Sequence, residues 1–117
     1  MPEIKILETK MSAPELKELA KSWHGILIKG SADIEKERVA IGGDYHIESC
    51  EVLTNSGSRF ESVWGFNIRF DRGDAPVLEF DSMINLKPNQ GNRAQQITDE
   101  SIIQSATNVV KKFVALE

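Results

Sequence analysis

The chain has 117 residues, of which 40% are hydrophobic and 27% charged, and its formal net charge is −4. This length fits one domain with one hydrophobic core, so we expect a single soluble domain over residues 1–117. The sequence has no apolar run of about 18 residues, no basic-then-apolar leader and no cluster of basic residues, which argues against a membrane span, a signal peptide and a nucleic-acid partner. Cys50 is the only cysteine, which excludes an internal disulfide and favours a reducing, cytoplasmic location.

The first forty residues predict one helix and three strands. Residues 3–8 are expected to pair as a short edge strand. The spacing from Ser12 to Glu15 is typical of a capping box, which starts a helix over 13–23. An apolar run then predicts a buried strand over 25–34. A polar turn separates it from a strand over 38–42, so the two strands are expected to form a hairpin.

The segment after the two glycines at 42 and 43 predicts a second helix. Asp44 is expected to cap a helix over 45–55, and Gly57 suits the left-handed position after its end. The inward side chains of this helix would be Ile47, Cys50 and Leu53. An extended conformation around residues 52–54 is the alternative.

Residues 63–86 give the clearest strand pattern of the chain. Alternating apolar and polar residues predict strands over 63–70 and 77–86, joined by the turn at 71–76 into an antiparallel hairpin. The apolar side chains of both strands have even residue numbers. They lie on the same face only if the numbers of residues opposite each other add up to an even value. We expect a sum of 148, which sets Arg69 opposite Glu79 and Asn67 opposite Asp81, because opposite charges then face each other.

A long amphipathic helix is predicted over 99–115, with Thr98 as its cap and a wide apolar stripe. The complete order predicts an α+β fold. Its sheet would be mostly antiparallel, with the N-terminal and C-terminal helices packed on one face. The polar face of the hairpin over 63–86 would then be open to solvent, a cleft or a second subunit.

Two groups of polar side chains are candidates for ligand binding. The first shares one face of the hairpin, and the second lies in the loop over 88–93. Together they comprise Asn67, Arg69, Glu79, Asp81, Asn85, Asn92 and Arg93. Carboxylates near amides and an arginine can hold a polar ligand, and an arginine can clamp a carboxylate or phosphate. Alternatively, the face is a solvated sheet with cross-strand ion pairs, and the loop side chains satisfy loop backbone groups.

Asp44, His46 and Asp81 are the candidate metal ligands, because a histidine with two carboxylates suits a divalent cation if folding brings them together. Otherwise Asp44 caps a helix and His46 lies on the surface. The glycine pair before Asp44 is not a phosphate loop, since Asp44 would repel the phosphate. Cys50 falls on an apolar helix face and is expected in the core rather than at a catalytic centre.

Three short motifs resemble a family of small uncharacterised prokaryotic proteins, a domain of unknown function. They are Gly42-Gly43-Asp-Tyr-His46, Trp64-Gly-Phe-Asn67 and Phe80-Asp-Ser-Met-Ile-Asn85, with Asn92-Arg93 following. The resemblance spans about residues 25–115, and the block over 80–85 is its most specific part. Asp44 stands where the family pattern has glutamate, and Val63 where it has leucine. The resemblance implies no activity, cofactor or partner.

Three functional hypotheses follow from the residues. The first is a small cytoplasmic binding or interaction module, possibly a homodimer, that recognises a polar ligand or a protein partner through the hairpin face and the loop over 88–93. The second is a metal-assisted hydrolase that uses Asp44, His46 and Asp81. The third is a partner protein of the toxin–antitoxin kind. No nucleophile–base pair is evident, which favours the first.

Overall fold

The computed structural model describes residues 4–73 and 75–116. Its helices and strands are β1 (Lys5–Ile6), α1 (Ala13–Ala20), β2 (Leu27–Asp33), β3 (Arg38–Ile41), α2 (His46–Asn55), β4 (Val63–Arg69), β5 (Val77–Glu79) and α3 (Glu100–Phe113). The fold is α+β, as the sequence predicted. No helix in the described ranges has the length and apolar character needed to cross a membrane.

The five strands form one sheet in the order β1-β3-β2-β4-β5, and every neighbouring pair is antiparallel. The predicted hairpin of β2 and β3 is confirmed, with Ala32 opposite Val39. The predicted edge strand is confirmed as β1, although Glu3 lies outside the described residues. The centre of the sheet is the long β2–β4 pairing, in which Leu27 lies opposite Arg69 and Asp33 opposite Val63.

Helices α1 and α3 pack on one face of this sheet, as expected, and form the larger hydrophobic core. From the helices, this core receives Leu16 and Ala20 of α1 and Val109 and Val110 of α3, and Val114, directly after α3, adds to it. They meet the apolar face of the sheet, formed by Ile28, Ala32, Val39, Ile41, Phe66 and Ile68. The capping box of α1 is also confirmed: Ser12 Oγ accepts from the Glu15 amide, and the Glu15 carboxylate accepts from the Ser12 amide.

Helix α2 covers only part of the opposite face. Cys50 and Leu53 are buried there against Ala40, Val63 and Ile84 in a second, smaller core. The helix prediction over 45–55 is therefore confirmed, and so is the core position of Cys50. Helix α2 is short and contacts β2, β3 and β4, and the part of this face near Leu27, Arg69 and Glu79 stays uncovered by any helix of the described chain.

The start of α2 differs from the prediction in two respects. Tyr45, not Asp44, is the residue before the first helical turn, and the Glu48 carboxylate accepts from the amides of both Asp44 and Tyr45. Glu48 thus binds the two amides that precede the helix, whereas a capping aspartate would accept from an amide of the first helical turn. Ile47 is 46% exposed rather than inward, because the helix begins at His46 and turns its first residues over the uncovered sheet face.

Strand β5 is shorter than predicted, since it ends at Glu79 and the residues from Met83 to Asn85 form a 3₁₀ turn. The Ser82 hydroxyl accepts from the Ile84 amide and closes this turn. The Asn85 side chain then takes the place of a strand residue, because its amide bonds to both the N–H and the C=O of Gly65. Gly65 permits this approach: a Cβ at that position would lie only 2.6 Å from the Ser82 Cβ.

The predicted β4–β5 register is also wrong. Asn67 lies opposite Glu79 and Arg69 opposite Val77, so paired residue numbers sum to 146 instead of 148, and Asp81 forms an isolated bridge with Gln96. The two registers differ by two residues and leave every side chain on the same face, so the hydrophobic pattern cannot separate them. The Arg69–Glu79 charge pair cannot separate the two registers either, because Arg69 Nη1 still lies 3.5 Å from Glu79 Oε1, diagonally across the strands.

Helix α3 begins one residue later than predicted, with Asp99 as its cap. Asp99 Oδ1 accepts from the Ser101 amide at 2.8 Å. The amide and hydroxyl of Thr98, the expected cap, instead donate to Asn92 Oδ1 at 2.9 and 3.0 Å. Asp74, which falls in the turn predicted over 71–76, lies outside the described residues.

Candidate functional site

The uncovered part of the sheet forms the floor of a cleft with a volume of about 540 Å³. The floor consists of side chains from β2, β4 and β5: Leu27, Lys29, Asn67, Arg69 and Glu79. One wall is the start of α2, residues 45–47. The other wall is the segment over 81–84 together with Gln95. The volume lies within the range of about 300–1,000 Å³ that is typical of small-molecule sites.

The wall at the start of α2 is held in place by contacts to β2. Gly42 and Gly43 have φ values of 113° and 90°, which turn the chain from β3 into α2. The buried Ser31 hydroxyl lies 2.7 Å from the Ser49 hydroxyl. Ser49 Oγ also donates to the backbone oxygen of His46. These contacts fix the first turn of α2 against the sheet and set His46 over β4.

His46 is the first member of a hydrogen-bonded chain that crosses the cleft floor. Its Nε2 lies 2.8 Å from Asn67 Oδ1 and 3.0 Å from the backbone oxygen of Phe66. Asn67 Nδ2 in turn donates to Glu79 Oε1 at 3.2 Å and to the backbone oxygen of Asp81 at 3.1 Å. Because Asn67 presents its oxygen to His46, both partners of Nε2 are acceptors, and Nε2 carries the proton.

This tautomer leaves Nδ1 of His46 with a free lone pair when the ring is neutral. Burial lowers the pKa of His46. The hydrogen bonds to Phe66 and Asn67 and the charge of Asp81 oppose this effect without overcoming it. The ring is therefore neutral at pH 7, and within the described part of the chain Nδ1 has no hydrogen-bond partner. Such a nitrogen can accept a hydrogen bond from a ligand, take up a proton or bind a metal.

The charged groups of the cleft are unevenly paired. Arg69 donates to the Asp71 carboxylate through Nε and Nη2, at 3.0 and 2.9 Å, and its Nη1 lies 3.5 Å from Glu79. Lys29 Nζ donates to the backbone oxygen of Asp44 at 3.0 Å. The Asp81 carboxylate, in contrast, has no hydrogen-bond or ion-pair partner among residues 4–73 and 75–116.

The rim of the cleft is apolar and exposed. Tyr45 is 69% exposed, Ile47 46% and Met83 72%. Large apolar side chains that stand in water next to a concave site are typical of a surface that contacts a ligand. The cleft therefore combines a polar floor with an apolar rim.

The predicted metal ligands are only partly brought together. His46 and Asp81 line the same cleft. Asp44 does not line it, and its Oδ1 accepts from the indole N–H of Trp23 at 2.8 Å. In the described ranges no group of three or more His, Cys, Asp or Glu side chains is arranged to hold a metal ion.

The predicted ligand-binding residues divide into two sets. Asn67, Arg69, Glu79 and Asp81 line the cleft. Asn85 and Asn92 are buried beside it, and their amides bond to loop backbone groups, while Arg93 is exposed outside the cleft. For Asn85 and Asn92 the geometry favours the structural alternative.

Sequence reasoning missed the β2 side of the floor and most of the rim. The apolar run predicts that Leu27 and Lys29 belong to a buried strand, although a lysine in an apolar run is itself a sign of an open face. Tyr45 and Met83 carried no signal beyond being apolar residues next to polar motifs. His46 and Asn67 were both identified, but as members of different groups, and the structure joins them at 2.8 Å.

The chain belongs to the family described as "Protein of unknown function (DUF5674)", whose model matches residues 5–113. The resemblance to a domain of unknown function is thereby confirmed, over a longer range than the motifs indicated. Neither a curated protein nor a solved structure matches the chain. The membership supplies no activity, so a functional conclusion depends on the cleft.

Proposed function

We propose that this protein is a binding module for a small amphipathic molecule, and that the cleft between the start of α2 and the segment over 81–84 is its site. The observation that carries the proposal is a concave site of about 540 Å³ in which an ordered hydrogen-bonded chain runs from His46 in one wall to Asn67 and Glu79 on the floor. A set of oriented polar groups at the bottom of an apolar-rimmed pocket is the usual arrangement for small-molecule recognition.

The state of the polar groups supports binding to a small ligand. Asn67 is 7% exposed and all its amide atoms are engaged, so it holds His46 and Glu79 in fixed orientations. Preorganised groups of this kind lower the entropy cost of binding. The groups that remain open, His46 Nδ1 and the Asp81 carboxylate, are available to a ligand without breaking an existing contact.

The alternative, a metal-assisted hydrolase using Asp44, His46 and Asp81, has less support. The Asp44 carboxylate is engaged by Trp23, and Nε2 of His46 is engaged as a donor. Of these three predicted ligands, His46 and Asp81 line the cleft, and among the described residues their open atoms are Nδ1 and the carboxylate oxygens.

Thermal unfolding of chelator-treated protein with added divalent cations separates the two functions. Binding at a hundredfold excess over Kd stabilises a folded protein by about 2.7 kcal/mol, which raises Tm by roughly 10 °C in a domain of this size. We expect no such shift. A shift of that order that disappears in His46→Ala would replace the binding proposal with the metal site.

The binding proposal itself is tested by a fragment screen with ¹H–¹⁵N correlation spectra. We expect fragments that combine an apolar part with a polar head to shift the resonances of His46, Asn67 and Glu79 selectively. The variant Leu27→Trp places a large side chain on the cleft floor and is expected to abolish these shifts. Trp is well tolerated in strands, so the sheet should persist.

A matched control is Ala75→Trp, which introduces the same side chain at an exposed position outside the cleft. It should leave the fragment-induced shifts unchanged. Shifts spread over unrelated surfaces, or shifts that survive in Leu27→Trp, would contradict the proposed site.

A further inference from the structure

Opposite charges stand at the two ends of one row of side chains on the cleft floor. In the sheet register Lys29 of β2 lies opposite Asn67 of β4, which in turn lies opposite Glu79 of β5. All three side chains line the cleft. Neighbouring strands lie about 4.8 Å apart, so two spacings, roughly 10 Å, separate the backbones of Lys29 and Glu79. The floor therefore has a cationic end and an anionic end, with a neutral amide between them.

The cationic end of this row retains open hydrogen-bond donors. Lys29 Nζ donates to the backbone oxygen of Asp44 at 3.0 Å, and it lies 5.8 Å from the centre of the Tyr45 ring. An ammonium group carries three N–H donors, so two of them remain for a ligand. Within residues 4–73 and 75–116 no carboxylate pairs with Lys29, so its charge is not neutralised by an ion pair.

The anionic end retains open acceptors. Neither the Asp81 carboxylate nor Glu79 Oε2 receives a hydrogen bond from the described residues. The backbone oxygen of Asp81 accepts from Asn67 Nδ2, the same atom that donates to Glu79, which sets Asp81 at this end of the row. Asp81 belongs to the wall over 81–84, whereas the Lys29 ammonium group is bonded beside the opposite wall, at Asp44.

The charges around the cleft balance, so they favour neither a net cation nor a net anion. Three cationic side chains stand against three carboxylates: Lys29, Arg69 and Arg72, and Asp71, Glu79 and Asp81. Both arginines lie within ion-pair distance of Asp71, which leaves Lys29 and Asp81 as the two charges without a partner among the described residues. A ligand with one charge would satisfy one of them and leave the other unpaired, whereas a ligand with both charges would satisfy both.

We propose that the cleft binds a zwitterion, a molecule with a carboxylate at one end, an ammonium group at the other and a short carbon chain between them. The carboxylate would accept from Lys29, and the ammonium group would donate to Asp81. The carbon chain would cross the floor beside Leu27 and Ile47. Hydrogen bonds between charged groups are stronger than neutral ones, which favours a zwitterion over an uncharged molecule of the same length. This inference rests on the proposed binding function and names the ligand class of the same site.

Three probes with carbon chains of the same length test whether both charges are read: ε-aminocaproate, hexylamine and hexanoate. Titration into the full chain, followed by ¹H–¹⁵N spectra, gives Kd and location in one experiment. The zwitterion ε-aminocaproate should shift the cleft resonances and bind about fivefold tighter than either singly charged probe, which corresponds to one further ion pair at the upper end of the usual range for exposed pairs.

Two substitutions assign the charges of the ligand to the two ends of the cleft. Lys29→Met removes the ammonium group and should weaken the binding of ε-aminocaproate and hexanoate about fivefold, but not that of hexylamine. Asp81→Asn keeps the shape of the side chain and should weaken ε-aminocaproate and hexylamine by a similar factor, but not hexanoate. Lys36→Met and Glu51→Gln are the matched controls, because they remove the same charges from exposed positions outside the cleft. They should leave all three affinities unchanged.

The outcomes separate the inference from the proposed function. If ε-aminocaproate binds in the cleft no tighter than hexylamine or hexanoate, the zwitterion inference is overturned and the binding module stands. Equal losses of affinity in the cleft variants and in their controls would also overturn the inference, because they would reflect net charge alone. If neither the probes nor the fragment screen shift cleft resonances, the proposed function fails as well.

Discussion

Two polar regions lie side by side in this protein, and they differ in what their side chains bind. The first is the cleft, and the second is the asparagine loop, defined here as residues 82–98. In the loop, Asn85 is fully buried and bonds to the backbone of Gly65 and Gln95, and Asn92 is 3% exposed and bonds to the backbone of residues 85, 94, 96 and 98. In the cleft, His46 Nδ1 and Asp81 have open acceptors.

The comparison shows that a high density of polar residues does not by itself identify a binding site. Buried polar groups must be hydrogen-bonded, so a loop that is buried needs side chains that satisfy its backbone. The asparagines meet that need. A binding site instead retains hydrogen-bonding capacity that the fold does not use. We therefore expect substitutions in the loop to change stability, and substitutions in the cleft to change binding.

The largest effect is expected for Asn92→Asp. The substitution keeps the shape but replaces a donor that faces the backbone oxygens of Asn85, Ala94 and Gln96 with a negative charge. A buried group that loses its hydrogen bonds and gains an unpaired charge destabilises a protein by about 3 kcal/mol or more. Urea unfolding measures the change in the free energy of unfolding.

Asn89→Asp is the matched control, since Asn89 lies in the same loop but is exposed. Its free energy of unfolding should change by less than about 0.5 kcal/mol. Equal effects of the two substitutions would show that Asn92 is not the structural centre of the loop. Because residues 82–84 and Gln95 also form a cleft wall, Asn92→Asp should weaken ligand binding indirectly.

A smaller effect is expected from Lys87, a lysine of the asparagine loop that is only 2% exposed. Its ammonium group donates to the backbone oxygen of Ile84 at 2.9 Å and lies 3.6 Å from the centre of the Phe60 ring and 5.0 Å from that of Trp64. Burial lowers the pKa of Lys87 to about 8. Between about pH 8 and the pKa that Lys87 has in the unfolded chain, the unfolded state binds more protons than the folded state, so the free energy of unfolding rises with pH.

Lys87→Met isolates this contribution. Between about pH 7 and pH 9, the free energy of unfolding of the natural chain should rise by about 1 kcal/mol relative to Lys87→Met, since one pKa unit corresponds to 1.36 kcal/mol. Burial raises the pKa of the Cys50 thiol, which gives the opposite slope at higher pH, and the charge of Lys87 opposes that rise, so this slope differs between the two chains above the ordinary range of a thiol pKa. If the free energies of unfolding of the two chains change in parallel with pH, the folded protein keeps Lys87 charged without losing stability.

His46 is expected to make the free energy of unfolding depend on pH below neutrality, with a shallower slope than Lys87 gives above it. Its folded pKa is lowered, chiefly by burial, so below about pH 6.5 the unfolded chain takes up a proton that the folded His46 does not. Stability is therefore present above that pH and is lost as pH falls toward the folded pKa. His46→Gln should flatten this part of the profile, and His24→Gln, at an exposed histidine, should not.

The side-chain ¹⁵N spectrum of His46 checks the structural basis of that prediction. We expect a protonated Nε2 and an unprotonated Nδ1 at neutral pH, because Phe66 O and Asn67 Oδ1 both require a donor. The reverse tautomer would contradict the orientation assigned to the Asn67 amide, and with it the open acceptor of the cleft.

The features predicted correctly from the sequence are those that local interactions decide. The capping box at Ser12 and Glu15, the helix over 45–55 and the left-handed Gly57 involve residues within a few positions of one another. The apolar periodicity of β4 also placed Phe66 and Ile68 on the core face and Asn67 and Arg69 on the other.

The features predicted wrongly depend on contacts between distant parts of the chain. The end of β5 is set by Asn85 bonding to Gly65, twenty positions away, and the role of Asp44 is set by Trp23, twenty-one positions away. The cleft itself exists because α2 covers only one side of the sheet face. No periodicity carries that information, so the sequence predicted a polar face without predicting a concave site.

The smallest stability effect is expected for Asp81→Asn, and it gives the sharpest contrast with Asn92→Asp. The Asp81 side chain is exposed and has no partner among the described residues, so its charge contributes little to folding. The free energy of unfolding should change by less than about 0.5 kcal/mol, while the affinity for a ligand of the cleft changes. If Asp81→Asn instead destabilises the chain by 2 kcal/mol or so, its carboxylate supports the fold, as the asparagines do. Asp81 would then serve the fold as the loop asparagines do, and the cleft could not be distinguished from the asparagine loop by its open side chains.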